Sequence, residues 1–167
     1  MPTRAPVYVR HAIQESQLYL AFEGAASHRV SLAIEHLAAD FLDQHPARPE
    51  VVLDLGACSF LDSTFAGWMI MLQKRVRQAG GRVVVSRSSD SCRSNLTMLG
   101  LTSLFEFTAV VPPGNTERMA CDDDACDAEA IEVMLHAHED LAEVNADNRR
   151  VFTPIADTLR QELHKRN

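Results

Sequence analysis

Two short runs of consecutive apolar residues constrain the fold of this chain more than any other feature. They lie within residues 50–55, EVVLDL, and residues 82–86, RVVVS. A strand with one side in solvent alternates apolar and polar residues, whereas a strand covered on both sides by helices has no need to alternate. The two runs therefore predict buried strands in a sheet that helices cover.

The segment between these two strands predicts one amphipathic helix over residues 63–79. Its apolar residues recur at spacings of three and four, at Phe65, Met69, Leu72 and Val76. Gly80 and Gly81 follow and are typical of the end of a helix. A strand, a helix and a second strand in this order indicate a parallel pair joined by a right-handed crossover.

The rest of the first 113 residues completes the order β-β-α-β-α-β-α-β. Three further strands are predicted, at residues 7–13, 17–23 and 104–111. Two further helices are predicted, from Ser27 to the residues before Pro46 and from Ser89 or Asp90 to Gly100. Alternating strands and helices indicate an α/β fold, a small mixed sheet covered by helices.

Residues 114–167 are predicted to form an acidic helical extension to a domain of residues 1–113. Residues 128–143 carry apolar side chains in helical register, and a second apolar stripe begins at Val151. These two helices make a hairpin, and Pro154 predicts that the second one starts near Thr153 or is kinked there. Because apolar stripes need burial, we expect the hairpin to pack on its own domain, although it could pair two copies into a homodimer or recruit another protein.

The charge distribution excludes some classes of partner. The formal net charge is −7, and the residues from Glu117 onward hold 13 acidic and 6 basic side chains. The excess negative charge therefore lies in the extension, which argues against binding to nucleic acid or to anionic membrane surfaces. No apolar run approaches the roughly 20 residues that span a bilayer, and the first residues lack the apolar region of a signal peptide. We expect a cytoplasmic protein whose four cysteines are free thiols.

The segment 54–85 carries the most informative motif, SFLDST, in which Asp62-Ser63-Thr64 opens the predicted helix. The free amides and positive dipole end of a helix can accommodate an anion beside Ser63. The segment resembles the STAS domain of anti-sigma factor antagonists, and the resemblance covers about residues 5–111. The matching residues are Asp54-Leu55, Phe60-Leu61-Asp62-Ser63-Thr64, Gly80-Gly81, Val83-Val84-Val85 and, more loosely, residues 94–107.

The resemblance implies a bacterial signalling switch and not an enzyme. In that family the serine after the aspartate is phosphorylated by the partner, an anti-sigma factor that is also a serine kinase. The unphosphorylated form binds this partner, and a phosphatase restores it. Carried over, Ser63 is the phosphate acceptor, Thr64 the second candidate, and Asp62, Ser63 and Thr64 lie at the partner interface. Trp68, if exposed, would add to that interface.

Three alternatives stay open at this stage. Ser63 could be only the N-cap of its helix. The chain could be a constitutive STAS-like scaffold subunit of a larger signalling or transport complex, since Phe65 stands where the family usually has glycine and the extension is not part of the family pattern. A small hydrolase would need a histidine and a pocket beside Ser63, and no G-x-S-x-G sequence surrounds that serine.

Two patterns suggest a metal only weakly, and we predict no metal and no cofactor. His136 and His138 are two residues apart and so point about 200° apart on a helix, which makes a shared ion difficult. Cys121 and Cys126 enclose an acidic stretch without a second cysteine pair, whereas zinc needs four convergent ligands. The acidic stretch is expected to be a solvated loop.

Overall fold

The computed structural model describes residues 7–121 and 127–167, which form a mixed sheet with five α-helices. The strands are β1 (Tyr8–Gln14), β2 (Gln17–Ala26), β3 (Glu50–Leu55), β4 (Cys58–Leu61), β5 (Arg82–Ser88), β6 (Glu106–Phe107) and β7 (Glu117–Ala120). The helices are α1 (His28–Gln44), α2 (Ser63–Gln78), α3 (Asp90–Met98), α4 (Ala128–Ala142) and α5 (Ala146–Arg166), with a short 3₁₀ turn at Thr102–Leu104.

The sheet has the strand order β6-β5-β3-β2-β1-β7, and β4 pairs with the end of β2. Strands β2, β3, β5 and β6 run parallel to one another, whereas β1 is antiparallel to both β2 and β7. The predicted α/β fold with a mixed sheet, covering helices and a C-terminal helical pair is confirmed.

The uninterrupted apolar runs are explained by burial on both faces of the sheet. Val51 and Leu53 belong to the main core, and Val85 lies opposite Leu53 in that layer. Val52 and Val84 pair with each other, point to the other face by the two-residue period of a strand, and are buried as well. This is the pattern that the two runs predicted for β3 and β5.

Helix α2 is packed by the stripe that its sequence predicted. The four stripe residues belong to the core and are fully buried: Phe65, Met69, Leu72 and Val76. Its end also follows the prediction, because Gly80 adopts a φ of +74°, a left-handed conformation that glycine tolerates best. The position of α2 at the centre of the helical layer decides which of its faces can meet another protein.

Four details differ from the sequence-based prediction. β4 was not predicted, and the strand predicted at 104–111 is reduced to Glu106–Phe107. Part of the segment predicted to be helical, Glu117–Ala120, is the edge strand β7, because β1 offers it an unpaired backbone edge. The expected start of α5 near Thr153 is wrong: Asn145 caps the helix by accepting from the N–H of Asn148 at 2.8 Å, and Pro154 lies inside it.

The hairpin of α4 and α5 packs against the sheet domain. α4 lies along α2, while Leu141 and Phe152 contribute to the main core. None of the helices in the two described ranges is long and apolar enough to cross a membrane. The expected packing of the hairpin on its own domain is therefore observed in the structure.

Candidate functional site

Ser63 is the first residue of α2, directly after the residue that caps this helix. The cap is Asp62, whose Oδ1 accepts a hydrogen bond from the backbone N–H of Phe65 at 2.9 Å. The alternative that Ser63 is only an N-cap is therefore wrong. A capping aspartate leaves the serine hydroxyl free for another partner and adds negative charge at the positive end of the helix.

Asp62 also joins α2 to α1. Its Oδ2 accepts from the backbone N–H of His28 at 3.0 Å and lies 3.6 Å from the Nδ1 atom of the same histidine. One carboxylate thus serves the beginnings of two helices. Asp62 fixes the backbone that presents Ser63, and a quarter of its side chain remains exposed beside that serine.

The Ser63 hydroxyl contacts the C-terminal hairpin. Its Oγ lies 3.0 Å from Nε2 of His138, whose Nδ1 lies 2.7 Å from the carbonyl oxygen of Met134. Because a carbonyl only accepts, Nδ1 carries a hydrogen, and the Ser63 hydroxyl is the hydrogen-bond partner of Nε2. His138 is 3% exposed. The acceptor predicted for phosphate is therefore half-buried under α4.

Two of the predicted interface residues lie inside the protein. Thr64 is buried, and Trp68 is fully buried between α2 and α1, where its Nε1–H donates to Glu35 Oε2 at 2.8 Å. The same carboxylate accepts two hydrogen bonds from Arg75, at 2.6 and 2.7 Å. The structure thus gives Trp68 a role in packing α1 against α2 and leaves it no surface that a partner could reach.

The family-like Asp54-Leu55 pair supplies a buried charge near the end of β3. Asp54 is 2% exposed and accepts hydrogen bonds from the Tyr19 hydroxyl at 2.5 Å, the Gly56 amide at 3.0 Å and the Arg87 guanidinium at 2.5 Å. Burial alone would raise the pKa of Asp54, but these three donors together hold it below its ordinary value. Burial and the hydrogen bond to Asp54 raise the pKa of Tyr19 to about 12. This cluster holds the loop before β4 and α2 in place.

A comparison with models of protein families bears on the same part of the chain as these features. A family model described as "Mlab, STAS domain" matches residues 9–108, about three fifths of the chain. The chain belongs to the STAS domain family. The match ends shortly after β6. The residues that follow, including β7 and the hairpin that covers Ser63, lie beyond it.

Solved STAS structures share the fold at low sequence identity. The Thermotoga maritima protein TM1081, described as an anti-sigma factor antagonist, has 14% identity and a TM-score of 0.54 over 60% of this chain and 86% of its own. The anti-sigma factor antagonist SpoIIAA in its unphosphorylated form has 15% identity and a TM-score of 0.54 over 61% and 88%. The phosphorylated form of the Bacillus SpoIIAA gives 15% and 0.50 over 61% and 91%.

The two candidate metal patterns of the sequence can be followed only as far as the structure describes their residues. His138 is turned into the protein while His136 is exposed, as the helical spacing predicted. Over residues 7–121 and 127–167, no cluster of three or more His, Cys, Asp or Glu side chains is placed to hold an ion. Cys121 is buried as a free thiol, and Cys126 lies outside the described residues.

A serine beside a histidine is also the pair that a hydrolase would use. Here Nδ1 of His138 is held by a backbone carbonyl, and the N–H of Phe65 in the first turn already donates to Asp62. Four open grooves of about 370 to 540 Å³ lie on the described surface, and neither Ser63 nor His138 lines any of these four. The Ser63–His138 pair lies where α2 and α4 pack against each other.

Sequence reasoning did not find His138 as the partner of Ser63. The two residues are 75 positions apart, and no spacing rule joins a helix N-terminus to a later helix. One signal was present: His138 is a polar residue on the apolar stripe of α4, where buried polar side chains need a hydrogen-bond partner.

Proposed function

We propose that this protein is a phosphorylation-gated protein–protein switch of the anti-sigma factor antagonist type. Unphosphorylated Ser63 leaves the N-terminal part of α2 competent to bind an anti-sigma factor that is also a serine kinase. A phosphoryl group on Ser63 adds about −1.5 to −2 charges at neutral pH and releases that partner. A phosphatase of the same cytoplasm removes the phosphate, so this chain itself supplies no catalysis.

The observation that supports this proposal best is the position of Ser63 in the STAS fold. It follows the Phe-Leu-Asp sequence, opens α2, and is held by the double hydrogen bonding of Asp62 to two helix starts. A hydroxyl on so rigid a backbone needs little ordering when a partner binds it. Thr64 is the weaker acceptor because its side chain is buried.

The first experiment is intact-mass and phosphopeptide analysis of the protein from its native cells, under resting and stressed conditions. We expect one phosphate on Ser63 whose occupancy changes with condition, and none on Thr64. The matched variants Ser63→Ala and Thr64→Ala identify the site: only the first should abolish the added mass. If neither residue carries a phosphate under any condition, the proposed switch is contradicted.

A constitutive scaffold is the second candidate, because the hairpin lies over the proposed acceptor. A scaffold subunit would keep its partner whatever the charge at residue 63, whereas a switch would lose it. Co-purification of full-length Ser63→Asp and Ser63→Asn with the partner separates the two. Loss with aspartate and retention with the isosteric asparagine supports the switch, and retention with both supports the scaffold.

A further inference from the structure

The outer strip of α2 consists of Ser63, Gly67, Ile70 and Lys74, which follow one another at spacings of four, three and four along one side of the helix. This strip is the surface on which α4 lies, and each end of it makes a polar contact with the hairpin. It also contains the proposed phosphate acceptor. Whatever occupies the strip therefore decides whether Ser63 can be reached.

At the N-terminal end of the strip, a side chain of α4 contacts the Ser63 hydroxyl itself. Nε2 of His138 lies 3.0 Å from Oγ of Ser63, and the ring is almost completely buried. A phosphorylated serine has no hydroxyl hydrogen to donate to this nitrogen and carries three additional oxygens. The closed contact and a phosphate on Ser63 therefore exclude each other unless α4 moves.

One turn further on, the two helix backbones approach each other directly. A Cβ atom on Gly67 would lie 2.1 Å from the carbonyl oxygen of Ala137, so only glycine permits this packing. No side chain of another protein can enter this strip while α4 is there. A partner that docks on α2 must first displace the hairpin.

At the far end of the strip the contact is made by exposed charges. Lys74 Nζ lies 2.6 Å from Asp140 and 3.2 Å from Glu143. The beginning of α4 is held in the same way, since Glu129 pairs with His36 of α1 and both side chains are more than half exposed. Exposed pairs of this kind are weak and screened by salt, so the ends of α4 can detach.

We propose that the α4–α5 hairpin is an autoinhibitory cover that occupies the outer strip of α2 in cis and must open before Ser63 can be reached. The inference rests on the proposed function, which makes Ser63 the acceptor. In the open state the Ser63 oxygen attacks the terminal phosphorus of a nucleoside triphosphate. The new O–P bond replaces the bond to the leaving diphosphate, and the hydroxyl proton goes to a base of the kinase. The apparent affinity for a partner is the affinity of the open state multiplied by the fraction of molecules that are open.

The test measures how often residue 63 becomes accessible in the full-length chain. Ser63→Cys is made in a Cys126→Ser background and labelled with Ellman's reagent, and the same background with Ser63 intact serves as the blank for the buried Cys58, Cys92 and Cys121. Gln78→Cys, at the exposed end of α2, is the matched open site. We expect the thiol at residue 63 to react at least roughly tenfold more slowly than the thiol at residue 78.

Two variants then open the cover by different means. Gly67→Ala inserts a methyl group against the Ala137 carbonyl, and Asp140→Lys with Glu143→Lys places positive charge against Lys74. Each should raise labelling at residue 63 several-fold and leave residue 78 unchanged. Glu132→Lys, on the exposed side of α4, should change neither rate, and adding Lys74→Glu to the double variant should restore protection. The charge variants decide the matter if Gly67→Ala does not fold.

The proposed cover is overturned if the thiol at residue 63 is labelled as fast as the thiol at residue 78. It is also overturned if neither opening variant changes the labelling rate at residue 63. A second measurement follows phosphate on intact Ser63 in native cells that express Asp140→Lys/Glu143→Lys or Glu132→Lys. Higher occupancy in the first alone supports autoinhibition, whereas phosphate that is present at equal occupancy in both variants overturns it. Protected labelling with no phosphate in any chain overturns the proposed function instead, while the cover of the hydroxyl stands.

Discussion

The two sides of α2 are packed by different chemistry. The side toward the sheet buries Phe65, Met69 and Leu72 in the main core, and Phe65 meets the ring of Phe22 edge-on at 4.8 Å. The side toward α4 is the outer strip, where Ser63, Gly67 and Lys74 make polar or close backbone contacts and Ile70 is buried. The inner side is stabilised by apolar burial, which is strong and offers no charge that salt could screen. The outer side also buries apolar residues such as Ile70 and Leu141, and it adds a hydrogen bond, a close backbone approach and exposed charges that the inner side lacks.

The two kinds of packing indicate which part of the molecule can move without unfolding the rest. Removing the sheet from α2 would expose a continuous apolar core, whereas removing α4 would expose a narrower, partly polar strip. A displaceable element needs a smaller opening free energy than the global one. The inner side therefore keeps the STAS fold intact while the outer side can change between closed and open states.

The largest expected effect is on the inner side. Phe65→Ala removes a fully buried ring that touches Phe22 and Trp68, and we expect the free energy of unfolding to fall by about 3–5 kcal/mol. Met98→Ala, at a side chain that is 80% exposed, is the control and should change it by less than about 0.5 kcal/mol. Urea unfolding followed by circular dichroism measures both. Equal losses would mean that the core does not depend on the inner side as described.

The next effect is the dependence of stability on the buried Asp54 charge and on pH. Arg87→Met leaves the buried Asp54 carboxylate with Tyr19 and Gly56 alone; because Arg87 is itself 58% exposed, we expect a loss of about 1–3 kcal/mol at pH 7. The pKa of Asp54 is lower in the folded than in the unfolded protein. Its contribution is thus fully present above the unfolded pKa and is lost as the pH falls through the folded one. Stability measured from pH 7 to pH 2 should decline less steeply in Asp54→Asn, and an unchanged slope would contradict this account.

The inner side could be predicted from the sequence and the outer side could not. Runs of valine and a 3–4 spacing of apolar residues report burial directly, so β3, β5 and the stripe of α2 follow from local pattern. The same holds for the motif at Asp62 and Ser63, since a helix start has local signals. These features depend on neighbours within about one turn or one strand.

The outer side depends on contacts between distant segments, which leave weaker traces. Gly67 shows in the sequence only as a helix residue of low propensity, and its reason appears once the Ala137 backbone is seen against it. Trp68 lies one step from the apolar stripe, and only the position of α1 and Glu35 decides that it is buried. β7, with the sequence ERMA, is mostly exposed and lacks strand periodicity, so backbone pairing with β1 alone makes it a strand.

A smaller effect tests the hydrogen bond between Ser63 and His138 on the outer side. His138→Ala removes the partner of the Ser63 hydroxyl and leaves a small cavity beside Phe152, and we expect the hairpin to lose about 1–2 kcal/mol. His136→Ala, on the exposed side of the same helix, should cost little. Hydrogen exchange read by mass spectrometry should show faster exchange in α4 and in the first turn of α2 for the first variant only. Faster exchange in β3 as well would mean that the two sides unfold together.

The smallest effect separates the two sides by their response to salt. Lys74→Met removes the exposed pairs with Asp140 and Glu143 and should weaken the closed hairpin by about 0.3–1 kcal/mol at low ionic strength. At 1 M salt the Debye length is about 3 Å, so the parent chain should approach the variant in the exchange rate of α4. Exchange in β3 and β5 should stay the same in both chains and at both salt concentrations, because their protection comes from apolar burial. If salt accelerated exchange in the sheet as much as in α4, the outer side would not be the separate, charge-dependent contact that its geometry indicates.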